Sequence, residues 1–131
     1  MRRKLVVGNW KMHGTLAQST ALLQEVVAAT TELSEDVEIG ICPSYIHLGL
    51  AKELLQNKPL LLGAQDLNSE PEGAQTGEVS ASMLADFGVS YVIVGHSERR
   101  EIFQESDQLV ALKIAAAQAA GLTPILCIGE S

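Results

Sequence analysis

The sequence predicts an α/β protein with a parallel sheet, because short apolar runs alternate with helical segments along its 131 residues. The predicted order is β-α-β-α-β-α-β-α-β, which is typical of parallel strands joined by crossover helices. Most strand segments are continuous apolar runs, as expected for strands covered on both faces. We therefore expect a single domain over residues 1–131, with strands at 4–10, 37–42, 59–64, 91–95 and 123–128.

The element boundaries follow from local signals. Gly8 and Asn9 close the first apolar run, and Pro43 stops the second. Thr15 and Gln18 have the spacing of a capping box and predict the start of the first helix. Further helices are expected near 46–56, 80–87 and 106–120. The apolar faces predicted for the first and last helices are Leu16, Leu23 and Val27, flanked by Leu22 and Val26, and Val110, Ile114 and Ala117.

Composition excludes several classes of protein. Sixteen acidic against nine basic residues give a net charge of −7, which argues against a nucleic-acid partner. No apolar run approaches the roughly 18 residues of a membrane span, and the start of the chain lacks the apolar core of a signal peptide. Cys42 and Cys127 have the spacing of neither a metal pair nor a disulfide framework. We expect a reduced, cytoplasmic protein without a metal ion or cofactor.

Candidate site residues follow the first strand. The carboxyl ends of strands are where sites form in parallel sheets. Asn9 and Lys11 are two residues apart, so on an extended segment both side chains point the same way. An amide and a cation aimed at one point suit an anionic or carbonyl substrate. From spacing alone, a surface lysine beside a turn asparagine is the commoner alternative.

A second candidate group follows the fourth strand. His96 comes after an apolar strand and a glycine, at a point where a short helix can begin. A helix N-terminus disfavours imidazolium, so a neutral, hydrogen-bond-donating ring becomes plausible, although a lone histidine is more often structural. Glu98, beside two arginines, is either a catalytic acid or, more commonly, a member of an ion pair.

The remaining chemistry-bearing residues carry weaker signals. Residues 65–80 form a long segment without a regular pattern, and its Gly, Pro and Asn content predicts a structured protrusion. We expect His13 and His47 at the surface or in loops, Cys42 and Cys127 as small buried hydrophobes, and Trp10 and Phe103 as packing residues.

Four motifs together resemble one enzyme family. GNWKM near the start, TGEVS at the end of the long loop, VGHSERR after the fourth strand and LTPILCIGE at the fifth are similar to the triosephosphate isomerase family in order and spacing. The resemblance implies a (β/α)₈ barrel fold. It also implies interconversion of dihydroxyacetone phosphate and glyceraldehyde 3-phosphate through an enediol(ate), a step of glycolysis and gluconeogenesis that needs no cofactor.

The resemblance also assigns roles to individual residues. It places Asn9 and Lys11 in the substrate pocket and makes His96 the neutral electrophile, a role established for this family rather than one that the spacing shows. Glu98 belongs to the network around the lysine. The 65–80 loop resembles the family's dimerisation loop, whose interface residues here are Gln65, Thr76 and Glu78. Thr76 matches a residue that reaches into the neighbouring subunit's site.

The sequence also departs from the family pattern. A barrel of this type has eight βα units and about 250 residues, whereas four units and a fifth strand are present here. The general-base glutamate, the lid and the phosphate-gripping loops have no counterpart. We therefore expect half of a (β/α)₈ barrel, with helices outside, that has little or no activity alone.

Two hypotheses remain open for the chain's role. Strands 1 and 5 are expected to be open edges, and Val6, Ile41, Leu61 and Ile93 lie on either the concave or the helix-packed face. The chain is either an isomerase component completed by a separate C-terminal half, or a non-catalytic oligomer of itself. In an oligomer, we expect contact through the open edges and the 65–80 loop, with the fifth strand displaced or used at the interface.

Overall fold

A computed structural model describes residues 3–32 and 36–129. The chain divides into two compact units, Met1–Gln65 and Asp66–Ser131, and each is described by itself. The expectation of a single domain stays a prediction. Glu130, the last residue of the LTPILCIGE motif, lies outside the described residues. Within those residues, no helix is long and apolar enough to cross a membrane.

The first unit has three parallel strands and two α-helices in its described part. Its strand β1 pairs with β2 from Lys4↔Val37 to Asn9↔Cys42, and β2 pairs with β3 at Gly40↔Leu61 and Ile41↔Leu62. The parallel arrangement confirms this part of the predicted sheet. The elements in chain order are β1 (Lys4–Asn9), α1 (Leu16–Thr30), β2 (Val37–Cys42), a 3₁₀ turn (Tyr45–His47), α2 (Leu48–Leu54) and β3 (Leu61–Ala64).

Local capping sets the start of α1 and confirms the predicted capping box. The Thr15 side chain accepts a hydrogen bond from the Gln18 backbone N–H, and the Gln18 side chain accepts one from the Thr15 N–H. The helix buries Leu23 completely, but Leu16 is 64% exposed and lies outside the core that we predicted for it. Leu16 is the first residue of the helix.

His47 corrects another expectation. It is only 7% exposed, although we predicted a surface or loop residue. Its Nδ1 lies 3.1 Å from the hydroxyl oxygen of Ser19, which is buried as well. This hydrogen bond gives each buried polar group a partner and offsets the free-energy cost of removing both groups from water. His13 is exposed, as predicted.

The second unit has two parallel strands and three α-helices among its described residues. Strand β4 pairs with β5 from Tyr91↔Thr123 to Val94↔Leu126, which again confirms parallel pairing. Ser80 and Ser106 cap α3 and α5 with their hydroxyl oxygens. The elements are α3 (Ala81–Asp86), β4 (Tyr91–Val94), α4 (Ser97–Ile102), α5 (Asp107–Ala119) and β5 (Thr123–Leu126).

Within the second unit lie residues 66–80 of the predicted 65–80 protrusion. Asn68 closes its base, because it forms a parallel bridge with Ser80 and its N–H donates to the carbonyl of Val79 at 2.8 Å. Its side-chain amide also donates to Glu78 at 2.8 Å. The tip, including Thr76, is exposed.

Phe103 does not take the packing role that we predicted for it. Its side chain is 60% exposed, so it is not the core residue that we expected. The Arg99 guanidinium carbon lies 4.3 Å from the centre of its ring, a cation–π distance. Phe103 therefore covers an arginine rather than filling the core. Trp10 is half-buried.

Candidate functional site

The polar segment of the first unit begins where β1 ends. Asn9 is the last residue of the strand, and its side-chain oxygen accepts a hydrogen bond from the Lys11 N–H at 2.9 Å. Lys11 has φ = +55°, in the left-handed region. The extended geometry that we assumed for this pair is therefore wrong. The asparagine amide instead holds the lysine backbone in a strained turn, which costs of order 1–2 kcal/mol in a non-glycine residue.

Neutral hydrogen bonds anchor this turn. The Lys11 carbonyl accepts from the Ser44 hydroxyl and from the Gln65 side-chain amide, each at 2.9 Å. The same amide nitrogen donates to the carbonyl of Cys42 at 2.9 Å, and the Trp10 N–H donates to that carbonyl at 3.1 Å. Gln65 thus ties the end of β2 to the lysine turn. Its predicted role at an interface stays a prediction.

A shallow cavity of about 170 Å³ opens beside this turn, on the side of α1. Its walls include neither Asn9 nor Lys11. The cavity therefore lies next to the predicted site residues of this unit and not on them. The lining residues are Trp10, His13, Gly14, Gln18, Ser19 and Leu22.

The polar segment of the second unit begins at Gly95. Gly95 has φ = +71°, and a Cβ there would lie 2.9 Å from Arg100 and 3.0 Å from Val110. Only glycine fits both the left-handed conformation and this close approach. The next residue, His96, caps α4, which confirms that a short helix begins there.

The cap fixes the orientation of the His96 ring. Its Nδ1 accepts a hydrogen bond from the Glu98 N–H at 3.1 Å, an arrangement that leaves the ring proton on Nε2 when the ring is neutral. Glu98 Oε1 is also 3.3 Å from Nδ1, a longer distance than that to the backbone N–H. We therefore assign the hydrogen bond to the backbone N–H. The neutral, hydrogen-bond-donating ring expected for His96 stays a prediction.

Behind α4 lies a charge cluster of the buried Asp66, Glu105 and Lys113 with the half-buried Arg99. Lys113 Nζ donates to Asp66 Oδ1 at 2.8 Å and to Glu105 Oε2 at 2.6 Å. Arg99 Nε donates to the same Glu105 oxygen at 2.6 Å and is 3.1 Å from Asp66 Oδ2. The Glu105 and Lys113 side chains are 2% and 4% exposed. Two cations thus alternate with two anions.

The cluster shifts the pKa values of its two carboxyl groups in opposite directions. Burial raises the pKa of Asp66, although Lys113 and Arg99 oppose this effect. Burial also acts to raise the pKa of Glu105, but hydrogen bonds from Lys113 and Arg99 outweigh it and lower that pKa. Glu105 is therefore the firmly ionised anion of the cluster.

The two cysteines are not candidate nucleophiles. Cys42 is fully buried, as predicted, and burial raises the pKa of its thiol to about 12. Cys127 is half-buried rather than buried, and burial also raises its pKa, with Arg100 opposing the shift. Thiols held in the protonated form are poor nucleophiles.

The structure thus brings together the predicted residues within each unit. Asn9 and Lys11 share one turn, and His96 and Glu98 share one helix start. Sequence reasoning missed the buried partners of Arg99. One signal was available for Lys113, because it lies three residues after Val110 and four before Ala117, on the buried face of α5.

These structural features indicate the class of protein, and the comparisons then identify the family. Parallel strands followed by helices, with polar segments directly after β1 and β4, are typical of parallel α/β proteins that hold a site at the carboxyl ends of their strands. Comparisons with known proteins make the family explicit. The triosephosphate isomerase family model matches residues 4–131.

Individual relatives agree with the family model. The triosephosphate isomerase of Thiobacillus denitrificans is 56% identical over all 131 residues, and that of Dechloromonas aromatica is 50% identical. The crystal structure of triosephosphate isomerase from Bartonella henselae matches 99% of this chain with a TM-score of 0.91 at 41% identity. The chain belongs to the triosephosphate isomerase family. The structural match also confirms the predicted fold class, half of a (β/α)₈ barrel.

The match covers only part of each relative. The chain spans 51% of the Thiobacillus protein, 52% of the Dechloromonas protein and 53% of the Bartonella chain. It therefore spans about half the length of the relatives that it matches.

Proposed function

We propose that these 131 residues supply the carbonyl-polarising part of a triosephosphate isomerase site. The observation that carries the proposal is the cap of α4, where the His96 Nδ1 accepts the Glu98 N–H and leaves Nε2–H as a neutral donor. A neutral donor suits the carbonyl of dihydroxyacetone phosphate, because it stabilises the enediolate oxygen without first losing its own charge. Family membership supports the choice of substrate.

Lys11 and Asn9 supply the remaining polar groups of the proposal. The lysine offers a positive charge to the anionic substrate, and Asn9 holds the turn that carries it. The left-handed φ of Lys11 supports a functional role, because strained backbone is retained where a site requires it. Glu98 lies at the start of α4 and belongs to the same set of polar groups. This chemistry needs no cofactor.

The proposal includes low activity for these 131 residues alone. The chain spans about half of its relatives, and the glutamate that the family uses as general base has no counterpart in the sequence. A missing general base costs about 10²–10⁴ in rate. Activity then requires the remaining barrel units, which carry the base and the phosphate-binding loops. In a cell, the completed enzyme would act in glycolysis and gluconeogenesis, in the cytoplasm.

The test is complementation. The chain is mixed with the segment of the Thiobacillus denitrificans relative that follows the matched region, and isomerase activity is assayed. We expect activity in the mixture, and a loss of at least about 10²-fold in His96→Gln. Lys11→Met should also lose activity, whereas Lys58→Met removes the same charge from an exposed position and should not. Full activity of His96→Gln in a folded mixture would refute the proposal.

A second candidate function is self-assembly without catalysis. Exposed apolar side chains favour it, because Val6 on β1 is 59% exposed and Ile128 after β5 is 85% exposed. No described strand of its own unit pairs with the free edge of β1 or of β5, and open edges drive association. The exposed 66–80 protrusion, with Thr76 and Glu78, and Gln65 before it are the proposed contacts with a second copy.

Light scattering on the purified chain tests this second candidate. We expect a dimer or a larger species, and Val6→Lys should shift it towards the monomer. Met12→Lys, which changes a side chain that is also exposed but lies outside the strands, is the control. A monomer at high concentration would eliminate self-assembly and leave complementation as the surviving function.

A further inference from the structure

Helix α4 carries the proposed electrophile but cannot hold itself in place. It has only six residues, and none of these described residues is buried. Isolated helices shorter than about 12 residues are marginal in water. The position of His96 therefore depends on contacts that α4 makes with the rest of its unit.

Arg99 supplies the contacts that join α4 to buried carboxylates. Its N–H donates to the His96 carbonyl at 2.9 Å, and its own carbonyl accepts from the N–H groups of Phe103 and Glu105. Its guanidinium group reaches the buried carboxylates at 2.6 and 3.1 Å. Arg99 therefore binds the buried carboxylates with its side chain and the His96 carbonyl with its backbone N–H.

The cluster itself depends on Lys113. Without this ammonium group, Asp66 and Glu105 would be two buried carboxylates that share the single Arg99 cation. Among the described residues, Glu105 Oε1 already has no hydrogen-bond partner. A buried carboxylate with a missing partner is costly, so the side chains would have to rearrange or take up a proton.

We propose that Lys113 is a positioning residue that acts through Arg99 and fixes the conformation of His96. Lys113 balances the two carboxylates, the carboxylates hold the guanidinium group, and the guanidinium group holds the first turn of α4. The relevance of this series of contacts to catalysis rests on the proposed function. The coupling between the buried Lys113 and the tautomer of His96 does not rest on that function.

The experiment uses the whole 131-residue chain, ¹⁵N-labelled, and compares it with Lys113→Met. Ring ¹⁵N shifts report the tautomer of His96, and amide hydrogen exchange reports the stability of α4. We expect the Nε2–H tautomer in the parent protein and tautomer averaging in the variant. Exchange of the Arg100 and Phe103 amides should rise at least about tenfold.

Asp107→Asn is the matched control. The Arg100–Asp107 pair joins the same two helices at the same 2.6 Å, but the Asp107 side chain is 92% exposed. Exposed pairs contribute little, so neither the ring shifts nor the exchange of α4 should change. Amides in the last turns of α5 report the whole unit. If they accelerate as much as those of α4, Lys113 is merely structural and the inference is refuted.

A second variant decides the outcome if Lys113→Met does not fold. The double variant Lys113→Met/Glu105→Gln removes one charge of each sign, so it leaves the Arg99–Asp66 pair neutral overall. We expect it to fold with faster exchange in α4, because Arg99 has lost one carboxylate. Parent-like exchange and an unchanged His96 tautomer would overturn the inference. None of these measurements uses substrate, so a failed complementation assay would not affect them.

Discussion

The segments after β1 and β4 look alike in sequence but are held by different forces. Each begins with an apolar strand and a glycine, Gly8 or Gly95, and continues into polar residues. The first is anchored by neutral hydrogen bonds from Ser44 and Gln65. The second is anchored by a buried cluster of two cations and two anions. The lysine turn should therefore resist pH changes, whereas the histidine segment should depend on buried charge.

The largest expected effect removes one charge from the second segment. Glu105→Gln should lower the free energy of unfolding at pH 7 by about 3–5 kcal/mol, because it breaks a buried ion pair. Urea titration of the parent and the variant measures the difference. A loss below about 1 kcal/mol, the range of exposed pairs, would contradict the assigned burial.

The same pair of proteins predicts a pH dependence. The pKa of Glu105 is lowered from 4.5, so its contribution to stability is present above pH 4.5 and is lost as the pH falls through the lowered value. The deficit of Glu105→Gln should therefore shrink below pH 4.5. Asp66, whose raised pKa acts in the opposite direction, is present in both proteins. A deficit that is constant from pH 7 to pH 3 would refute the assignment.

The two glycines give the next comparison. Gly95→Ala should lower the free energy of unfolding by about 2–4 kcal/mol, from left-handed backbone strain and from overlap with Arg100 and Val110. Gly121→Ala separates the two causes, because it has φ = +80° and nothing within 4 Å. At Gly8 a Cβ would meet only the Trp10 ring, at 3.6 Å, so Gly8→Ala should change stability by less than about 1 kcal/mol. Equal losses of unfolding free energy in Gly8→Ala and Gly95→Ala would contradict the predicted difference between the two segments.

Gln65 tests the neutral anchor of the first segment. Gln65→Leu removes two hydrogen bonds, to the carbonyls of Lys11 and Cys42, and should cost about 1–3 kcal/mol. The cost should be the same at pH 7 and pH 4, since no charge is involved. A loss that varies strongly between these pH values would show that the first segment also depends on charge.

The smallest effect concerns the strained lysine turn. Lys11→Gly should be more stable than Lys11→Ala by about 0.5–1 kcal/mol, because glycine adopts φ = +55° without strain and loses only part of this gain to chain entropy. Both variants lack the lysine side chain, so its contacts cancel in the comparison. Thermal unfolding of the two variants measures the difference. If Lys11→Ala is the more stable, the turn is not strained in the folded protein.

The accuracy of prediction followed the range of the forces involved. The capping box at Thr15, the parallel β1–β2 pairing and the start of α4 at His96 were predictable, because each depends on a few neighbouring residues or on the apolar pattern. The buried His47 and the exposed Phe103 were not. His47 depends on one distant partner, Ser19 across 28 positions. Phe103 lies only four residues from Arg99, but a cation–π contact leaves no signal in the apolar pattern.

The sequence by itself determined the α/β class, the family and the candidate site residues, since periodicity and motif order are written along the chain. Tertiary structure decided how those residues are held. The left-handed Lys11 requires the carbonyl anchors from Ser44 and Gln65. The ionised state of Glu105 requires the hydrogen bond from Lys113, which lies eight residues further along the chain in α5. Burial and charge pairing act through space, and only the folded chain brings those groups within 3 Å.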